Sequence, residues 1–126
     1  LPIGQTNDDY ENAFIGQSYR TNLSKDENLP LYNVTFAHGA HTVWHIHHNT
    51  CQVLIAVSGA GYYQIWGEKA RKLLPGETVT IPADTKHWHG AAPYSSFQHI
   101  VHMLQGENIS TEWLEPINDA EFNALQ

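Results

Sequence analysis

Nine histidines stand among 126 residues, and all of them fall between His38 and His102. Four form two short pairs, His45-Ile46-His47 and His87-Trp88-His89. In a β-strand, residues i and i+2 share one face. Each pair therefore offers two imidazoles on one side, with Trp44 and Ile46, or Trp88, on the other. Neutral imidazole is a common ligand for divalent transition metals. Gln52 adds a polar group to a stretch in which Leu54 and Ala56 share its face. Burying an amide without a partner costs about 1–3 kcal/mol, and a metal ion or a hydrogen bond would supply that partner. A lone histidine on an apolar face is more often a hydrogen-bonded core residue. Two such pairs on separate strands, with Gln52 nearby, favour a metal site. In residues 96–104, His99 lies with Phe97, Val101 and Met103, and His102 lies with Gln98, Ile100 and Leu104. Periodicity leaves open which of the two faces inward. His38, His41, His48 and His102 read as turn, surface or supporting residues, and Cys51 as a small buried hydrophobe.

These groups need rigid elements to hold them, and the pattern along the chain is mostly β. Short segments of β character cover residues 14–23, 31–38, 42–48, 51–58, 61–66, 71–74, 78–81, 86–91, 96–104 and 111–117. Gly39, Gly59, Gly61, Gly67, Pro75-Gly76, Pro82 and Pro93 punctuate them. Many short strands with frequent turn signals predict an all-β sandwich or barrel. Helical segments are expected only near the ends: a turn over residues 7–13, and a short helix over 118–125, where Asn118 and Glu121 match a loose capping box. Tyr32, Val34 and Phe36 share one strand face and are expected to wall an apolar, substrate-binding pocket, with plain core packing as the alternative. Trp44 and Trp88 alternate away from the histidines, toward core or dimer-interface packing.

Composition narrows the function classes. Six basic residues against thirteen acidic ones, with a formal net charge of −7, disfavour nucleic acid. The longest apolar run, residues 53–57, is far short of the roughly 20 residues of a membrane helix. The single Cys51 permits no intrachain disulfide, and no signal-peptide pattern is evident, so a cytoplasmic location is expected. The length fits one domain, residues 1–126.

The spacings resemble the cupin superfamily. Its first motif is a Gly, five residues, His-x-His, three or four residues, an acid, six residues and a Gly. Here Gly39, His45, His47, Gln52 and Gly59 occupy those places. Gly76, Pro82, Asp84, His87 and Ala91 follow the second motif, with Asp84 for its Gly and Ala91 for its Asn. The resemblance covers about residues 10–117. It implies a double-stranded β-helix, or jelly-roll barrel, with a core about 31–117. The strings Val34-Thr35-Phe36, Trp44-His45-Ile46-His47, His87-Trp88-His89-Gly90-Ala91-Ala92-Pro93 and Glu112-Trp113-Leu114-Glu115-Pro116 are similar to small bacterial single-domain cupins with three His ligands and one Gln. Some of those are manganese-dependent hydroxynitrile lyases, and others are grouped with carboxymuconolactone decarboxylases. The resemblance implies His45, His47, Gln52 and His87 as metal ligands. It puts His99 in the place of a catalytic base, which turns His99 rather than His102 inward, and it implies a homodimer.

Four neutral ligands leave a divalent ion its full formal +2 charge, which lowers the pKa of bound water or hydroxyl and attracts anions. Structural zinc prefers a closed, Cys-rich tetrahedron, which one Cys cannot supply. One divalent transition metal ion is expected: manganese first, then iron, then nickel or zinc. His89 and His99 would serve as proton-transfer groups. The reading is a metalloenzyme acting on a small organic substrate, with lyase or decarboxylase character. A metal-dependent dioxygenase is the close alternative. A non-catalytic metal- or ligand-binding or sensor protein is the second.

Overall fold

The computed structural model describes residues 1–7, 13–26 and 28–126. The helical turn expected over residues 7–13 falls largely outside the described residues. Among them the strands are β1 (Gln5–Thr6), β2 (Phe14–Ile15), β3 (Ser18–Asn22), β4 (Tyr32–Phe36), β5 (His41–Thr42), β6 (His45–His48) and β7 (Gln52–Gly59). They continue with β8 (Gly61–Ile65), β9 (Arg71–Leu73), β10 (Thr78–Ile81), β11 (His87–Ala91), β12 (Phe97–Met103) and β13 (Ser110–Trp113), and a helix α1 (Asp119–Asn123) follows.

The strands form two antiparallel sheets of a jelly roll. One runs β1-β3-β4-β12-β7-β10. The other runs β13-β6-β11-β5-β2, with β8 joining β11 to β9. Most neighbours are distant in sequence: β4 and β7 both pair with β12, and β6 pairs with β13. The burial pattern of β7 alternates from Gln52 through Leu54 to Ala56, as strand period requires.

Two apolar clusters hold the sheets. Val34, Phe36, Ala40, Ala56, Leu73, Ala91 and Phe97 form the first. In the second, Trp44, Tyr62, Trp88 and Ala92 pack with Ile117 and with Phe122 of α1. Trp44 and Trp88 are thus core residues on the far side from the paired histidines. Asn118 caps α1 by accepting a hydrogen bond from the Glu121 N–H at 3.1 Å, which satisfies one of the free donors of the first turn.

Two expected strands are broken. Residues 14–23 split into β2 and β3 around Gly16, which has φ +84°, where a Cβ would lie 2.9 Å from the Ala40 Cβ. Residues 42–48 split into β5 and β6 because Trp44 bonds elsewhere: its N–H donates to Glu115 O at 2.9 Å, and its carbonyl accepts from Leu114 N at 2.8 Å. Asp84, standing where the resembled motif has Gly, adopts φ +62°, and its carboxylate accepts the Asn49 N–H at 3.2 Å. Asp is one of the few residues besides Gly that tolerate this left-handed conformation. Cys51 is half-buried, less enclosed than the sequence implies.

Candidate metal centre

β6 places His45 and His47 on one face, both buried. β11 sets His87 directly across from His45. Gln52 opens β7 on the opposing sheet, 5 % exposed. These four residues come from three strands and converge at one end of the barrel. The ring centroids of His45 lie 4.2 Å from His87 and 4.9 Å from His47.

Hydrogen bonds fix the tautomers. His45 Nδ1 donates to the Val43 carbonyl at 2.9 Å, and His87 Nδ1 donates to the Thr85 carbonyl at 2.8 Å. His47 Nδ1 stands 2.9 Å from the Thr111 hydroxyl. A carbonyl can only accept, so the Nδ1 atoms of His45 and His87 carry their rings' protons. Their Nε2 atoms then present lone pairs. Outer partners of this kind are what orient and tune metal-binding imidazoles.

Two features mark the point of convergence. His47 Nε2 is buried without a hydrogen-bond partner. His87 Nε2 stands 3.2 Å from the Gln52 carbonyl oxygen. Both of those atoms are acceptors, so they repel unless the amide turns over and donates, or a cation takes both lone pairs. A flipped amide presents two N–H donors and could serve one ring or both, whereas a cation takes the lone pairs of His87, Gln52 and His47 together. The donor set therefore fits a divalent ion.

A second grouping overlaps it. One nitrogen each of His45, His87 and His89 lie within 4.8 Å of one another. The two sets share His45 and His87 and differ in whether His89, or His47 and Gln52, completes them. His89 Nδ1 is buried without a partner, as are both ring nitrogens of His99. The two rings meet edge to face at 5.0 Å.

All five imidazoles are held neutral. Burial is the main cause in each, pushing His47, His87 and His99 down to about 4 and His45 and His89 well below the usual value. Mutual repulsion among the rings lowers His45, His47 and His89 further. The Ile100 backbone beside His99 offsets part of the burial effect. Neutral rings are what a metal needs as ligands and what a general base needs before it takes a proton.

His45, His47, His89 and His99, with Gln52, line a cavity of about 200 Å³. Tyr32 and Val34 line it. Phe36 is fully buried, and it packs against the His89 and His99 rings at 6.0 and 5.4 Å rather than lining the space. Sequence reasoning missed Arg20, Val101, Met103, Thr111 and Trp113, which also line it. Thr111 is the register partner of His47, a pairing across 64 residues that no local signal records. His102 bonds Pro30 O at 2.8 Å, and His41 stacks on Phe122 at 3.9 Å, so neither joins the cavity.

Residues 32–95 match the Cupin domain family. An (R)-mandelonitrile lyase of Granulicella tundricola is 34 % identical over 90 residues, which cover 71 % of this chain and 68 % of the lyase. A crystal structure of a cupin-like protein from Thermotoga maritima superposes with a TM-score of 0.86 at 36 % identity, covering 97 % of this chain and 92 % of that one. A DMSP lyase from Ruegeria pomeroyi shares the fold, with a TM-score of 0.62 at 18 % identity over 94 % of this chain and 61 % of that one.

Proposed function

The chain belongs to the cupin family, and from that premise we propose that it is a divalent-metal-dependent enzyme of lyase type acting on a small organic molecule. His45, His47 and His87 would hold the ion through Nε2, and Gln52 through its carbonyl oxygen. The observation that carries this reading is the pair of facing acceptors, His87 Nε2 and Gln52 Oε1, 3.2 Å apart beside the partnerless His47 Nε2. That arrangement favours this set over the one completed by His89. Manganese is the first candidate, then iron, then nickel or zinc. When bound, the ion supplies Lewis-acid stabilisation of negative charge on a substrate oxygen or nitrogen.

The remaining work belongs to the chain's own residues. His99, neutral and with both ring nitrogens lacking a hydrogen-bond partner, takes a proton from the substrate hydroxyl or the carbon beside it. His89, in contact with His99, holds or relays a proton through Nδ1. Such positioned proton transfer contributes about 10²–10⁴-fold. Tyr32 and Val34 exclude water from the reacting end, and Phe36 braces the two proton-transfer rings from behind. The mandelonitrile lyase relative supports bond cleavage next to an oxygenated carbon. A single domain spanning residues 1–126, acting as a cytoplasmic homodimer, completes the reading.

The test is a substrate screen of the metal-loaded protein with and without oxygen, covering cyanohydrins, 2-oxo acids and lactones. The expected result is oxygen-independent release of cyanide, carbon dioxide or an isomer from one class. Strict oxygen dependence would move the protein to the dioxygenases. Silence in every class with metal bound would favour a binding protein without turnover.

A further inference from the structure

Among the described residues, a positive φ outside glycine occurs at Asn49 (64°), Asp84 (62°) and Asn108 (58°). These residues stand in one bonded group. The Asn49 N–H donates to Asp84 Oδ1 at 3.2 Å, and the Asn49 side-chain amide donates to the Asn108 carbonyl at 2.9 Å. The Asp84 N–H donates to the His47 carbonyl at 2.9 Å. Left-handed backbone is unfavourable for a residue with a Cβ, and such positions gather where a site needs fixed geometry. Their meeting at one place points to what the turns hold.

Each turn adjoins the candidate metal centre. Asn49 lies in the connection between β6 and β7, which separates His47 from Gln52. Asp84 lies in the connection between β10 and β11, next to Thr85, whose carbonyl accepts from His87 Nδ1. Asn108 precedes β13, whose Thr111 hydroxyl meets His47 Nδ1. The sheet ties these parts sparingly: β6 and β11 share one register pair, His45 with His87. The Asp84 side chain is 61 % exposed, and an exposed carboxylate contributes little to stability, so its value lies in placement. The same Oδ1 stands 3.3 Å from His48 Nδ1, a contact that solvent weakens, which leaves the Asn49 N–H as the main link. From this arrangement we infer that Asp84 and Asn49 are positioning residues. They clasp the three turns together and so set how His47, Gln52 and His87 face one another.

This deepens the proposed function and rests on it for the ion that the clasped residues hold. The clasp itself can be measured without metal, so the two claims can fail separately. Wild type is compared with Asp84→Gly, Asp84→Asn and Asn49→Gly. Glycine keeps the left-handed backbone and removes the side chain. Asn keeps an acceptor oxygen and tolerates that backbone. Affinity for manganese, iron, nickel and zinc is measured by competition with a chelating dye, and the d–d absorption of the nickel form reports the ligand geometry. Exchange of the Asn49 amide hydrogen is followed by NMR in metal-free protein. Asp84→Gly should weaken metal binding about 10–100-fold, as loss of an outer partner does, with shifted nickel bands and faster Asn49 exchange. Asp84→Asn should keep wild-type affinity, bands and exchange. Asn49→Gly should also weaken the metal and shift the bands. Wild-type affinity and bands in either glycine variant would overturn the inference, and so would a loss in Asp84→Asn equal to that in Asp84→Gly. If wild-type protein binds none of the four metals, the functional reading fails and the exchange judges the clasp alone: faster Asn49 exchange in Asp84→Gly upholds it, and unchanged exchange overturns it.

Discussion

His47 and His48 are chain neighbours on β6 and live under opposite conditions. His47 points into the cavity, and burial with the nearby His87 pushes it down to about 4. His48 points outward, 36 % exposed, with Nε2 at 2.9 Å from Glu112 and Nδ1 at 3.3 Å from Asp84. Those carboxylates raise it above its usual value. One peptide bond therefore separates a ring kept neutral from a ring that favours its proton. Strand alternation does this: the same sequence-level excess of histidine is divided into candidate ligands inside and surface ion partners outside. Composition alone cannot tell them apart.

That contrast can be broken most severely from the inside. His87→Ala should abolish stoichiometric metal binding, read by metal analysis after reconstitution, whereas His48→Ala should leave it unchanged. Next in size is His99→Gln, expected to keep the metal and to lower turnover of whichever substrate the screen finds by about 10²–10⁴-fold. Loss of metal in that variant would remove His99 from the base role. Thr111→Val deletes the hydroxyl that orients His47 Nδ1. It should weaken metal affinity by about 10–100-fold, measured by competition with a chelating dye, and an unchanged affinity would show that His47 is oriented by packing alone.

The pH dependence is smaller and has a definite sign. Burial lowers His47, His87 and His99 to about 4 in the folded chain, against 6.5 for a free ring. The unfolded chain then binds more protons between those values. The stability these groups allow is complete above about pH 6.5 and is lost as the pH falls toward 4. His48 has the opposite slope: its raised value contributes below its unfolded pKa, and that contribution fades as the pH rises through the folded one. Solvent screens the His48 pairs, so the buried rings dominate. Metal-free protein should melt at a lower temperature at pH 5 than at pH 7, and His48→Ala should barely alter the difference. A higher melting temperature at pH 5 would mean that the inner rings are not held neutral.

Much of the candidate site is legible in the amino-acid sequence. His45, His47, Gln52 and His87 stand at telling intervals because each lies on a short strand where period two converts spacing into direction. The choice between His99 and His102 is not legible from period alone. It is decided by the pairing of β12 with β4 and β7 and by the register shift between Gln98 and His99. His99 ends up fully buried, while His102 reaches back to Pro30. Arg20 and Thr111 are hidden from sequence reading for a related reason. Each enters the cavity through a partner strand, and the register that brings it there is set by folding rather than by neighbours in sequence. Phe36 shows the limit of face-counting: it shares the face of Tyr32 and Val34, but lies one pair deeper, against the His89 and His99 rings instead of beside the open space.

The proposed lyase chemistry depends on the ring nitrogens and Gln52 holding one divalent ion. Metal analysis of the wild-type protein, stripped and then reconstituted separately with manganese, iron, nickel and zinc, tests it directly. The expected result is one ion per chain with at least one of these metals, lost in His87→Ala. Folded wild-type protein that retains none of the four stoichiometrically would contradict it.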